Sequence, residues 1–138
     1  MVAKYVLDAC ALTAFFCDEV GADIVESILD KAETGTVHLY MNKLNLFEVY
    51  YGVRRAEGLH RAEHIYSTVL KLPITIIDGI SDAVFREAGR IKSQYKMSLA
   101  DSIALGETSV MGAHILTSDH HEFDIIETSE DIKFLWTR

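Results

Sequence analysis

Apolar and polar residues change period repeatedly along this chain. Five short β-rich runs, "KYVLD", "VHLYM", "PITIID", "AHILT" and "IKFLW", read as strands. Between them, apolar positions recur at helical spacing. "ALTAFF" follows the first strand as a helix, and "GADIVESILDKAETG" puts Ile24, Ile28 and Leu29 on one face, with Gly35 able to end it. "KLNLFEVYYGVRRAEG" and "LHRAEHIYSTVLKL" are two helices parted near Gly58. "SDAVFREAGRIKSQYK" and "SLADSIALGETSVMG" each open on a serine suited to capping. With one more helix before the last strand, the order is β-α-α-β-α-α-β-α-α-β-α-β.

That alternation predicts an α/β fold with a mostly parallel five-stranded sheet covered by helices on both faces. No linker, repeat or low-complexity tract divides it, so residues 1–138 are expected to form one domain. The 49% apolar content and single proline argue against wholesale disorder. No apolar run is long enough for a bilayer and the first residues lack a signal-peptide pattern, so the expectation is a soluble cytoplasmic protein without membrane contact. Cys10 and Cys17 are seven residues apart in one helical stretch, which separates them by roughly 10 Å and predicts reduced thiols.

Charge changes the picture. At a net charge of −8 the chain is not a phosphate-neutralising basic protein. Either it avoids nucleic acid, or some of its negative charge belongs to a cation site.

Open parallel sheets bind ligands beyond the carboxyl ends of their strands, where strand order reverses. Asp8 ends the first strand and Asp119 follows the fourth; each is also suited to cap a helix. Asp101 stands three residues after Ser98, the spacing of a capping box with Asp in place of Glu. Glu48 sits in "LNLFEVYYGV", among largely apolar neighbours, where an unpaired carboxylate is costly. Taken singly, each has a structural explanation. Taken together in one cleft, carboxylates ~5 Å apart repel by roughly 3 kcal/mol per pair, more than the ~1 kcal/mol a cap supplies. Such a cluster persists by holding protons or a divalent cation. Oxygen ligands without cysteine select Mg²⁺ or Mn²⁺.

In order along the chain, "VLDACALTAFF", "NLFEVYYG", "LADSIALGE" and "LTSDHHEFD" resemble the four acidic motifs of PIN-domain proteins, of the kind found as VapC toxins in toxin–antitoxin pairs. The resemblance covers essentially the whole chain. It implies a Rossmann-like sheet and a Mg²⁺- or Mn²⁺-dependent ribonuclease whose acids map onto Asp8, Glu48, Asp101 and Asp119. It also implies homodimerisation and an antitoxin partner whose arm enters the acidic cleft. Thr117 matches a supporting Ser/Thr position. Asn45, one turn before Glu48, can orient it or be an exposed helix amide; Asp124 can add an outer oxygen or lie on the surface. His120 and His121 are expected to be solvated. Lys43, Arg54, Arg55 and Lys96 flank the acidic motifs and can touch a phosphate backbone, with a solvated helix face as the simpler role.

Three other readings compete. "HRAEH", His60 to His64, spells an inverted zinc-protease motif. On a helix, however, Leu59, Ala62, Tyr66, Val69 and Leu70 share one face and both histidines fall opposite, toward solvent. A receiver-type signalling domain would use Asp78 and Lys133, but it requires an acidic pair after the first strand, and Asp8 is followed by Ala9. Asp78–Gly79 reads better as a turn before Ser81. A catalytically silent binding module is the third, opposed by the full set of carboxylates.

Overall fold

A computed structural model describes residues 2–138. The elements are β1 (Ala3–Leu7), α1 (Ala9–Phe16), α2 (Ala22–Glu33), β2 (Val37–Asn42), α3 (Lys43–Glu57), α4 (Leu59–Val69), β3 (Thr75–Ile77), α5 (Asp82–Gln94), α6 (Leu99–Met111), β4 (His114–Thr117), α7 (His120–Ser129) and β5 (Lys133–Trp136). The expected order holds throughout. The third strand is shorter than "PITIID": Pro73 has no N–H for a ladder, and β3 is an edge strand of three residues.

All five strands are parallel, in the order β3-β2-β1-β4-β5. The chain runs outward from β1 through β2 to β3, then returns to place β4 on the other side of β1. The order therefore reverses between β1 and β4, with Leu7 opposite Leu116. A crevice opens at this point beyond the strands' carboxyl ends.

Side chains alternate across the sheet. Leu7, Leu39, Met41 and Leu116 pack with Leu12, Val25, Ile28, Leu46, Val49, Ile65 and Val69, so α1 to α4 cover one face. Ile115 points the other way, against Ile91, Ala104, Leu105, Phe123 and Ile126 of α5, α6 and α7. Helices thus cover both faces, as expected. On α4 the buried stripe is Ala62, Ile65 and Val69; Leu59 and Leu70, expected on it, are 52% and 56% exposed because they lie at the two ends of the helix.

Two close approaches tighten the frame. Gly21 has φ +100°, and a Cβ there would stand 2.7 Å from the Thr137 carbonyl oxygen. Gly106 of α6 lies against Ala88 of α5, where a Cβ would meet the Ala88 Cβ at 3.0 Å. Gly35, with φ +77°, comes just past the end of α2 and turns the chain into β2. Both cysteines are free thiols. Among the described residues, no helix is long and apolar enough to cross a membrane.

Candidate active site

Asp8 is the first residue past β1 and is 1% exposed. Its Oδ1 accepts the Ala11 N–H at 2.8 Å and caps α1. Its Oδ2 accepts the Thr117 hydroxyl at 2.5 Å, across the β1–β4 boundary. Burial pushes the Asp8 carboxyl up to about 7 against these two hydrogen bonds, and the charges of Asp101 and Asp119 add to the rise.

Asp119 stands two residues past β4. Its N–H donates to Thr117 Oγ1 at 3.0 Å, and its Oδ1 accepts the Glu122 N–H at 3.2 Å, capping α7. Asp101 lies in the first turn of α6, where its N–H donates to Ser98 Oγ at 3.1 Å. Its carboxyl is also pushed up to about 7, by burial first and then by Asp119; the Ser98 hydrogen bond opposes this, and Glu48 and Glu122 add smaller repulsions. Glu48 is half-buried on α3, its carboxyl raised by burial and by Asp119.

The capping role thus falls on two of the residues expected at the site. Asp8 and Asp119 are helix caps, and they also repel each other and Asp101. Asp119 is the hub: its charge raises Asp8, Asp101 and Glu48 alike. The donors are hard oxygens, a set that fits a divalent cation. The half-buried thiol of Cys10 is instead engaged with Ser118 Oγ at 2.9 Å. In this conformation the fit is electrostatic rather than a closed cage, since among the described residues no three His, Cys, Asp or Glu side chains converge tightly enough to grip an ion.

The remaining expected residues divide. Thr117 is fully buried and bonded to both Asp8 and Asp119. Asn45 is 0% exposed, not a surface amide. It faces α6, and its Nδ2 donates to the Ala100 carbonyl at 3.0 Å, so it bolts the helix of Glu48 to the helix of Asp101; its Oδ1 has no partner. Asp124 is exposed and paired with His120 at 2.7 Å. His120 and His121 are both exposed, as expected; the His120 ring also reaches the Arg138 carbonyl oxygen at 2.8 Å and stacks on Trp136. Lys43 faces Asp78 at 3.6 Å on the surface, Arg55 lies over the Tyr51 ring, and Arg54 and Lys96 are exposed.

Two neighbours of the site carry signals that sequence inspection passes over. Glu122 repels Asp101, and it stands three residues after the capping Asp119, the capping-box spacing. Asn42 ends β2 much as Asp8 ends β1; it is buried, caps α3 through Leu44 N–H and donates to the Gly79 carbonyl. The "HRAEH" segment is differently occupied: Tyr50 donates its hydroxyl to Glu63, and His60 and His64 are exposed.

A parallel sheet with acids at its switch point is the Rossmann-like arrangement, and comparison with known proteins refines it. The PIN domain pattern matches residues 5–128. The chain belongs to the PIN domain family. No curated protein matches it. Among solved structures, the DNA-bound VapBC of Salmonella typhimurium is similar at TM-score 0.76 and 15% identity, over 99% of this chain and 100% of that one. A toxin–antitoxin complex from Klebsiella pneumoniae is similar at TM-score 0.68 and 16% identity, over 97% and 98%. VapC20 of Mycobacterium tuberculosis, described as a sarcin–ricin loop cleaving toxin, is similar at TM-score 0.61 and 9% identity, over 80% and 86%. At these identities the likeness is one of fold.

Proposed function

We propose that this chain is a divalent-metal-dependent endoribonuclease acting as the toxin of a toxin–antitoxin pair in the cytoplasm. The observation that carries the reading is the gathering of four acids near the β1–β4 switch point, in which the charge of Asp119 raises the other three, Asp8, Glu48 and Asp101. Membership in the PIN domain family and the likeness to VapBC complexes support it.

Asp8, Asp101 and Asp119 are the residues that would hold Mg²⁺ or Mn²⁺. When bound, the ion supplies charge neutralisation at the phosphate and a water of lowered pKa. Thr117 fixes the Asp8 carboxylate and the start of α7 at once, so two acids keep one spacing. Asn45 ties α3 to α6 beside Glu48 and Asp101. Glu48, the acid with a half-open side and a raised pKa, is suited to orient a water and take its proton. A second copy of the chain and an antitoxin are the expected protein partners. A cationic arm from the latter would satisfy the same acids.

The direct test is cleavage of RNA by the purified chain with Mg²⁺ or Mn²⁺, lost in EDTA and in Asp119→Asn. Cleavage that persists after exhaustive chelation would overturn the metal assignment. For the toxin role, expression alone should arrest growth and co-expression of the adjacent gene should restore it.

A further inference from the structure

We infer that the exposed face of α3 is a track for unpaired nucleotides of the RNA substrate, with bases stacked on Phe47 and Tyr51 and phosphates held by Lys43 and Arg55. This rests on the ribonuclease reading above.

Lys43, Phe47, Tyr51 and Arg55 recur every four residues and form one ridge of α3. The opposite face, with Asn45, Leu46, Val49 and Val53, is buried. Phe47 is 55% exposed and Tyr51 38%, with ring centroids 5.1 Å apart at 63°. The Arg55 guanidinium lies 5.6 Å from the Tyr51 ring centroid. Among the described residues neither Arg54 nor Arg55 has an ion-pair partner, although acids outnumber bases 21 to 13 in the chain. Lys43 meets only the exposed Asp78, at 3.6 Å, a pair worth little in water.

Two apolar depressions flank Phe47. One, about 220 Å³, is lined by Leu46, Phe47, Tyr50 and Tyr66, with Lys43 and Glu63 at its rim. The other, about 520 Å³, lies between Leu44, Phe47 and Ile80 and is also lined by Lys43 and its partner Asp78. Aromatic faces between cations are the recognition chemistry of single-stranded nucleic acid, since every base has a face to stack and every linkage a charge. A duplex keeps its bases stacked on one another and cannot use such a ridge. An apolar helix of a protein partner would fill the depressions and leave the arginines unanswered.

The ridge and Glu48 share one helix. Glu48 is next to Phe47 in the chain, and Tyr51 and Gly52 stand one turn beyond it. A Cβ at Gly52 would meet nothing within 4 Å, so the surface of α3 one turn from Glu48 is open.

The test is binding of a labelled single-stranded RNA to the full chain carrying Asp119→Asn, in Mg²⁺, read by fluorescence anisotropy. Phe47→Ala and Tyr51→Ala should each weaken binding about tenfold, and Phe47→Trp should restore it. Arg55→Gln should weaken binding and flatten its salt dependence. In the cleaving chain the aromatic variants should raise KM and leave kcat nearly unchanged. Unchanged affinity in both alanine variants, or equal affinity for duplex RNA, overturns the track. So does loss of self-association or antitoxin binding with RNA affinity intact, which makes the ridge a protein interface. A native chain that cuts no RNA in Mg²⁺ or Mn²⁺ sinks the ribonuclease reading itself and is distinguished from these outcomes by the cleavage assay.

Discussion

Thr117 donates its hydroxyl to Asp8 Oδ2 at 2.5 Å, joining residues 109 positions apart in sequence. The same hydroxyl oxygen accepts the Asp119 N–H at 3.0 Å. One buried hydroxyl thereby ties the Asp8 carboxylate, just past β1, to the backbone at the start of α7. Thr117→Val keeps the shape and leaves Asp8 Oδ2 and the Asp119 N–H unpartnered. It should cost about 2–3 kcal/mol in urea unfolding at neutral pH and reduce cleavage sharply, with Thr117→Ser restoring most of both. Equal stability of the valine and serine forms would remove the hydroxyl from the account.

Stability should depend on pH in an unusual direction. Asp8 and Asp101 hold protons up to about pH 7 in the folded chain, against about 3.9 unfolded. Between those values the native state binds more protons, so their contribution is complete below about pH 4 and is lost as pH rises to about 7. For Asp8 alone this amounts to at most about 4 kcal/mol. Glu87 and Glu130 act oppositely: Arg90 first, then Ser109 or Tyr95, holds their carboxyls low, so their contribution is lost on acidification through the ordinary carboxyl range. Urea midpoints in EDTA should therefore fall from pH 5.5 to pH 8, and millimolar Mg²⁺ should flatten the fall.

Asparagine and alanine should separate the two roles of the capping acids. Asp8→Asn keeps an oxygen for the Ala11 N–H and removes a buried charge, so it should abolish cleavage while raising metal-free stability at pH 8. Asp8→Ala loses the cap as well, a cost of about 1 kcal/mol. Mg²⁺ should raise the Tm of the native chain and leave that of Asp8→Asn nearly unmoved.

Arg90 supplies the contrast. It forks between Glu87 (2.8 Å) and Glu130 (2.7 Å), and Glu130 also accepts the Tyr95 hydroxyl. Arg90→Met should cost about 1 kcal/mol, because the pairs are partly solvated. Cleavage per folded molecule should be unchanged, since none of these groups touches the acids at the switch point.

Gly21→Ala should destabilise the chain by about 1–3 kcal/mol, from a strained φ and a 2.7 Å clash with the Thr137 carbonyl oxygen. Thermal melting reads this directly, and an unchanged Tm would show that the contact relaxes freely.

Much of this arrangement is legible in the sequence, for physical reasons that differ by residue. Asp8 and Asp119 are visible because an open parallel sheet exposes the residues just past its strands, and alternating periods reveal the strands. Glu48 stands out as a charge among apolar neighbours. Asn45 is invisible as a buried bolt, because its burial is made by α6, more than fifty residues away. Leu59 and Leu70 share the apolar stripe of α4 in projection, but a projection does not say how far along the helix its packing partners reach. The strand order is likewise absent from the periodicity, yet it is the pairing of β4 with β1 that brings Asp119 to Asp8.

The reversal between β1 and β4 also sets a timetable for synthesis. Asp8 and Glu48 leave the ribosome early, with β1 still showing one bare edge, and that edge stays bare until residues 114–117 arrive. Any product ending before Thr117 lacks Asp119 and Asp8's hydroxyl partner, and offers an unpaired central strand to its surroundings. On the proposed function, a product truncated before Thr117 should neither cleave RNA nor stay dispersed, because both the fourth acid and the second edge of β1 depend on the segment that follows α6.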